Sequence, residues 1–385
     1  MTIFVTCYQP VPMNHQHLGD HIREVNIRNR ELRVNNLLGL SVSKEFMPSI
    51  ANTIGTDMSS YKIVVRGQLV YIADTSRRGD KIAIAMLDKY ENAIVSQAYT
   101  VFEVIDTDKL LPEYLMMWFR RPEFDRYARF HSHSSAREVF DWEEMCDVLL
   151  PVPPIERQRE IVAEYETLAR RIHLNEQIIQ RLEATAQALY RKTFVDNIDK
   201  QNLPPGWHLA PLGEVADYVN EKVSFSEIDE SVYISTGNML KDKKGIITST
   251  NKPNEGGGTL FQIDDVLISN IRPYLKKIWR ASFCGGSSND VLCFRAKGVY
   301  NASMLYYTLV QDAFFDYVMA GSNGVKMPRG DKEWIMSYPV IMPSPSVVDE
   351  YQETTNNIYK NIVCRKQENE KLTELQSLLL AKMGQ

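Results

Sequence analysis

A chain of 385 residues with 44% hydrophobic and 24% charged residues has an ordinary soluble, globular make-up and can bury more than one core. Its net charge of −5 argues mildly against nucleic acid as a ligand, so any DNA-binding surface must be local or be supplemented by a partner. No apolar run approaches the roughly 18 residues that span a bilayer, and Met1-Thr2-Ile3-Phe4-Val5-Thr6 lacks the basic flank and apolar stretch of a signal peptide. Cys7, Cys146, Cys284, Cys293 and Cys364 are scattered without a CxxC pair, which reads as free thiols in a reducing cytoplasm.

In chain order, residues 61–65, 68–72, 81–86 and 99–104 read as strands, rich in β-branched and aromatic residues. Pro112 to Phe130 reads as one helix whose apolar face carries Tyr114, Leu115, Trp118, Phe119 and Tyr127. After Leu150-Pro151-Val152-Pro153-Pro154 a long helix begins. Its apolar seam runs Ile161, Tyr165, Leu168, Ile172, Asn175, Ile179, Leu182, Ala186, Leu189, and Arg191 and Lys192 suit its negative C-terminal end. Leu203-Pro204-Pro205-Gly206-Trp207 stops it.

The pattern then recurs. Residues 265–269 and 291–295 answer to the second and fourth strands, and Asn301 to Met319 to the helix, with Phe315-Asp316-Tyr317 echoing Phe124-Asp125-Arg126-Tyr127. A second long helix follows Ile341-Met342-Pro343-Ser344-Pro345, with a capping-box-like start at Ser346 and Asp349. Its seam runs Tyr351, Thr355, Ile358, Ile362, Arg365, Asn369, Leu372, Gln376, Leu379 in the register of the first. The polar members either fix the pairing or face another subunit, and Val363, Leu375 and Leu378 could rotate the stripe. Because the first helix leads out of one domain and the second leads out of the other, side-by-side packing makes them antiparallel.

The reading is therefore α+β: two similar mixed domains, separated by two long antiparallel helices forming a coiled coil, in an internal pseudo-two-fold repeat. The boundaries are 1–150 and 201–340 for the domains, and 151–200 and 341–385 for the helices. The expected helix–helix contacts are Ile161, Tyr165, Leu168, Ile172, Asn175, Ile179, Leu182, Leu189, Tyr351, Ile358, Ile362, Leu372 and Leu379.

Catalytic signatures are missing. There is no phosphate-cradling GxxxxGK[ST] loop, and Gly256-Gly257-Gly258 reads as a loop, not a dinucleotide turn. No Asn-Pro-Pro-Tyr-like tetrapeptide is present, and the close pairs His15/His17 and His131/His133 have no further ligand at metal spacing. Asp264-Asp265 lacks a following Glu-x-Lys and reads as a strand-entering turn, not a nuclease site.

What remains are basic loops at matching places. Ser76, Arg77, Arg78 and Lys81 lie between two strands of the first domain; Asn270, Arg272, Tyr274, Lys276 and Lys277 hold the same link in the second. A later pair of loops carries Arg137 and, in the second domain, Lys326 and Arg329. Arginine and lysine among Ser, Asn and Gly suit phosphate contact and base-edge reading. The charge is not concentrated, since residues 1–150 hold 17 basic against 20 acidic residues and residues 204–340 hold 14 against 15.

The duplicated layout, residues 150–161 (Leu-Pro-Val-Pro-Pro-Ile-Glu-Arg-Gln-Arg-Glu-Ile), residues 181–194 (Arg-Leu-Glu-Ala-Thr-Ala-Gln-Ala-Leu-Tyr-Arg-Lys-Thr-Phe) and Leu203-Pro204-Pro205-Gly206-Trp207 followed by Leu212-Gly213-Glu214-Val215 resemble the DNA specificity (S) subunit of type I restriction-modification systems. The resemblance covers essentially the whole chain. The second helix departs from it, with Pro343-Ser344-Pro345 and Gln352 in place of a Pro-Pro-x-x-x-Gln start.

The resemblance implies two target recognition domains, each reading half of a bipartite, asymmetric site on double-stranded DNA. The helices would serve as ruler and dock for two methyltransferase (M) subunits, joined by restriction (R) subunits. It implies a non-catalytic cytoplasmic chain with no cofactor or metal of its own, S-adenosylmethionine and ATP with Mg belonging to the partners. The competing reading is a coiled-coil protein adaptor that recognises no DNA; a self-contained nuclease or methyltransferase has no motif to support it.

Overall fold

The computed structural model describes residues 15–49, 55–75, 81–132, 138–196, 198–249, 251–298, 300–324 and 326–384. The chain divides into two compact units, Met1–His173 with Asn369–Gln385, and Leu174–Glu368.

In the first unit four short strands, β1 (Ile22–Val25), β2 (Leu69–Tyr71), β3 (Ile84–Met86) and β4 (Thr100–Val104), form an antiparallel sheet in the order β1-β4-β2-β3. One face, through Leu69, Tyr71 and Phe102, meets α1 (Pro112–Phe119), α2 (Pro122–Phe130) and Phe140. The other face, through Val70, Ile72 and Val101, is covered by a ribbon of Lys62–Val65 and Asn92–Val95. Both faces are buried, which is why these strands read as near-continuous apolar runs instead of an alternation. The expected single helix over 112–130 is two helices. Pro122 removes a helical N–H and forces Arg121 to be extended (φ −69°, ψ 137°). Short α3 (Trp142–Cys146) follows, its N-terminus capped by Asp141, and a ribbon of His15–His17 with Leu149–Pro151 leads into α4 (Ile155–Phe194).

The second unit repeats this plan. β5 (Ala216–Tyr218), β6 (Val266–Ser269), β7 (Ile278–Arg280) and β8 (Val291–Ala296) pair in the order β5-β8-β6-β7. The registers match: Leu69 faces Phe102 and Met86 in the first sheet, and Val266 faces Phe294 and Arg280 in the second. Two short helices follow again, α5 (Ala302–Leu309) and α6 (Asp312–Ala320), then α7 (Lys332–Met336). Here too the expected single helix, 301–319, is broken, at an extended Gln311 (φ −66°, ψ 145°), although no proline stands there. The ribbon of His208–Pro211 with Pro339–Met342 then leads into α8 (Pro345–Lys382). That helix opens on Pro345, a residue pre-set for the first helical position, so Ser346 lies inside the first turn and is not its cap.

Both long helices contribute to both units. In the first, Ile161, Val162 and Tyr165 of α4 share a core with Leu379, Leu380 and Met383; in the second, Ala186, Leu189, Tyr190 and Phe194 share one with Val348, Tyr351 and Ile358 of α8. In each unit the start of one helix lies against the end of the other, which makes the pair antiparallel. All thirteen helix–helix positions named from the heptad are buried or half-buried. Leu375 and Leu378 are exposed, so they do not rotate the stripe. Four of the polar seam residues, Asn175, Thr355, Arg365 and Asn369, find partners within their own units. The Thr355 hydroxyl donates to the Tyr351 carbonyl at 2.8 Å, Arg365 Nη1 lies 3.5 Å from the Asn175 amide oxygen, and the Asn369 amide donates to the Ile172 carbonyl at 3.4 Å.

Gln158, fully buried, explains the Pro-Pro-x-x-x-Gln pattern at the start of α4. Its Nε2 donates to the carbonyls of Lys109 (2.7 Å) and Pro153 (2.8 Å), while its Oε1 accepts from the Leu111 N–H (2.9 Å) at the start of α1. One amide thereby ties the long helix to the globular part. At the same register the second unit has buried Val348, and its polar tie is built elsewhere. The Arg280 guanidinium lies 3.5 Å above the Tyr359 ring and donates to Asp264 and to Ser303 Oγ, while Asn356 Oδ1 accepts from that hydroxyl at 2.8 Å.

Candidate nucleic-acid interface

The segments that flank the two basic loops expected in each unit are distant in sequence but are joined by the same backbone device. In the first unit Asp74 bridges Val139, and the Thr75 N–H donates to the Glu138 carbonyl at 2.9 Å. In the second, Ile271 bridges Arg329, and the Arg272 N–H donates to the Pro328 carbonyl at 2.8 Å. Thr75, buried, reinforces the first junction by donating its hydroxyl to Ser132 Oγ (2.9 Å) and Glu138 O (3.1 Å).

The loop of the second unit is built under strain. Arg272 (φ 53°) and Lys276 (φ 49°) are both left-handed, a conformation that costs a side-chain-bearing residue about 1–2 kcal/mol. The surroundings over-determine it. A turn over Pro273–Leu275 is closed by the Leu275 and Lys276 N–H groups donating to Arg272 and Pro273, and the carbonyls of Leu275 and Lys276 accept from the N–H groups of Asp242 and Lys243. Charge fixes the same corner: Lys276 Nζ (2.5 Å) and Lys243 Nζ (2.9 Å) converge on Asp312 Oδ1. Hydrogen bonds from these two ammonium groups hold the Asp312 carboxyl down at about 2, and the same contact raises the Lys276 pKa. Asp312 opens α6, where a carboxylate also suits the positive helix end.

The expected contact residues separate accordingly. Arg272, Tyr274, Lys326 and Arg329 are exposed; Arg329 is paired with Asp290 at 3.2 Å and stands in a small hairpin closed by two hydrogen bonds with Asn323. Lys276 is engaged with Asp312, and Lys277 donates to the Thr236 carbonyl at 2.5 Å, burial lowering its pKa. Asn270 Oδ1 is buried with no hydrogen-bond partner among the described residues. Lys276, Lys277 and Asn270 thus shape the loop, while Arg272, Tyr274, Lys326 and Arg329 present groups to solvent. In the first unit Lys81 is exposed, and Ser76, Arg77, Arg78 and Arg137 lie outside the described residues.

Sequence reasoning missed the first unit's own clamp. Left-handed Lys44 (φ 64°) is buried, and its Nζ donates to Asp125 Oδ1 (2.6 Å) and to the Phe119 carbonyl (2.5 Å). Burial lowers the Lys44 pKa, and Asp125 opposes that shift. Asp125 Oδ1 also accepts from the Ile82 N–H at 3.2 Å, so the residue beside Lys81 is fastened to α2. A lone lysine in a loop gave no signal of this. Also missed was a flat ring laid over a tyrosine at the same register in both units. His131 stacks on Tyr127 (centroids 4.1 Å) and Trp334 on Tyr317 (4.7 Å). Among the described residues no group of three or more His, Cys, Asp or Glu could hold a metal ion, and no helix is long and apolar enough to cross a membrane.

Comparison with known proteins agrees with this layout. Residues 42–184 match the type I restriction modification DNA specificity domain. The type I restriction enzyme HindI specificity subunit of Haemophilus influenzae is 28% identical over 149 residues, 38% of this chain and 32% of that protein, so the match spans about a third of that relative's length. The crystal structure of a type I restriction-modification system S subunit from M. genitalium superposes with a TM-score of 0.61 at 12% identity, covering 100% of this chain and 99% of that one, a likeness of fold. Over residues 42–184 the chain is therefore similar to the type I restriction modification DNA specificity domain, and its fold is like that of an S subunit of such a system.

Proposed function

We propose that this chain is the sequence reader of a type I restriction-modification enzyme and performs no chemistry itself. Each unit would read one half of a bipartite, asymmetric site in double-stranded DNA, with 1–150 and 201–340 as the recognition domains. The helical segments 151–200 and 341–385 would set the spacer and dock two methyltransferase subunits, with restriction subunits joining them. S-adenosylmethionine and ATP with Mg would be bound by those partners. The observation that carries the reading is the paired junction: Asp74 with Val139 and Ile271 with Arg329 join the segments flanking the basic loops at matching places in both units. Exposed Arg272, Lys326 and Arg329 can reach phosphates and guanine edges, Tyr274 a base face or sugar.

The test is to co-express the chain with its neighbouring methyltransferase and map methylated adenines by long-read sequencing. Methylation at one split motif with a fixed spacer is the expected result. Methylation that is absent despite a formed complex, or unchanged without this chain, would sink the proposal. The chain's acidic balance favours the second reading, an adaptor that binds only proteins. Fluorescence anisotropy of the assembled complex on random duplex DNA separates the two, since a reader must show salt-sensitive binding and an adaptor none.

A further inference from the structure

The second unit carries a third basic turn at the corner where Lys276 meets Asp312. Met239 bridges Ile246, the Leu240 N–H donates to the Gly245 carbonyl at 2.8 Å, and the Lys244 N–H donates to the Lys241 carbonyl at 3.3 Å. This hairpin reverses through Asp242 (φ 56°) and Lys243 (φ 63°), both left-handed, a tight turn that ordinarily favours Asn or Asp followed by Gly. Lys243 is kept there by its bond to Asp312, and backbone hydrogen bonds from Asp242 and Lys243 lay the turn against Leu275 and Lys276. Lys241 and Lys244 therefore stand directly opposite each other across the ribbon, an arrangement of like charges that is unfavourable without a counterion. Both are exposed, and neither side chain makes a hydrogen bond or ion pair among the described residues. Burial lowers the pKa of neighbouring Lys277, and the charge of Lys241 lowers it further. The carboxylates acting on Lys276 are Asp312, Asp316 and Asp242, and the first is already shared between Lys243 and Lys276.

We propose that this turn is a phosphate clamp of the second unit, in which Lys241 and Lys244 hold phosphates of the duplex beside the half-site that Arg272 and Arg329 read. The inference rests on the reading of the chain as a sequence reader. Two lysine point charges set opposite each other suit a phosphodiester, which supplies negative charge without requiring the planar pairing of an arginine fork. DNA fits better than an acidic protein segment because the turn is hydrogen-bonded directly to the one that carries exposed Arg272 and Tyr274. Cations and an aromatic face are thereby offered together, as nucleic acid requires. The corresponding hairpin of the first unit, Leu38–Leu40 with Phe46–Pro48, turns through Ser41, Val42, Ser43 and Lys44, and Lys44 is buried against Asp125. That hairpin has no exposed lysine, so the clamp belongs to the second unit.

The experiment uses the full chain assembled with its methyltransferase subunits, as wild type, as Lys241→Gln with Lys244→Gln, and as Lys241→Arg with Lys244→Arg. Binding to a duplex bearing the mapped motif and to random duplex DNA is followed by anisotropy over a range of salt, and methylated adenines are mapped for each variant. The glutamine pair should weaken binding to both duplexes alike, by roughly 5- to 50-fold at about 0.1 M salt, and make the dependence of log K on log salt shallower by about 1 to 2. Its methylated motif should match wild type, because phosphate contacts carry no sequence information. The arginine pair should restore both affinity and slope. An unchanged slope with the glutamine pair would overturn the inference, and so would weakening that the arginine pair fails to rescue. A motif degenerate in one half would make the lysines base readers, and loss of the methyltransferase from the complex would make the turn a protein contact; either overturns it. Wild-type complex without salt-sensitive DNA binding would instead remove the sequence-reader reading, and this inference with it.

Discussion

The two units hold the same corner of the same fold with opposite electrostatic designs. In the first, a single lysine, Lys44, is buried against Asp125 beside the break between two short helices. In the second, Lys243 and Lys276 reach a carboxylate, Asp312, that is largely in water. The helix attachments differ in the same spirit, with one buried neutral amide, Gln158, in the first unit and a guanidinium, Arg280, stacked on Tyr359 in the second. A backbone plan can therefore repeat while its polar fastenings are reinvented. Where such a fastening is buried it governs stability; where it is exposed it governs loop shape.

The largest effect that separates the two designs is expected at Asp125. Asp125→Ala strands a buried ammonium, which costs about 3–5 kcal/mol, whereas the double change Lys44→Met with Asp125→Leu should recover most of it. Urea denaturation checks this, and equal instability in the single and double variants would show that the pair does more than neutralise itself. Next comes Gln158→Ala, which leaves the Leu111 N–H and two carbonyls without their partner and should cost about 1–3 kcal/mol. At the same register Val348→Ala removes only apolar contact, so it should cost a comparable amount through a cavity yet leave the hydrogen exchange of nearby amides uniform. Gln158→Ala should selectively deprotect the Leu111 amide, and hydrogen exchange read by NMR or mass spectrometry distinguishes the two.

The smallest effect is at Asp312. Its folded value of about 2 lies below the ordinary 3.8, so its stabilisation is present above 3.8 and fades as the pH falls towards 2. Because this carboxylate is mostly exposed, the advantage of wild type over Asp312→Asn should stay below about 1 kcal/mol at neutral pH and vanish near pH 2. A gap that persists at pH 2 would show that Asp312 acts through shape and not charge.

The skeleton was legible because it rests on periodicity. The heptad of α4 and α8, the apolar runs of the sheets and the position of each loop follow from side-chain spacing alone, even where the seam holds Thr355, Arg365 or Asn369. The fastenings were not legible, because each joins residues far apart in sequence through a single polar group. Lys44 to Asp125, Arg280 to Tyr359 and the roles of Lys276 and Lys277 are set by where a loop comes to rest, and composition does not encode that. The break before Pro122 was readable in principle from the proline, whereas no proline marks the one before Asp312. Gln158 lay in plain view within a motif, but its reason became visible only when its three partners did.

The central claim is that each unit reads its own half of the DNA site. It is tested most directly by mapping methylated adenines for the assembled enzyme carrying Arg272→Ala together with Arg329→Ala. These exposed arginines flank one junction, and since Arg272 is left-handed, alanine leaves the backbone strain as it was. The account predicts a motif that becomes degenerate in one half while the other half and the spacer stay fixed. Equal loss of preference in both halves, or an unaltered motif, would contradict it.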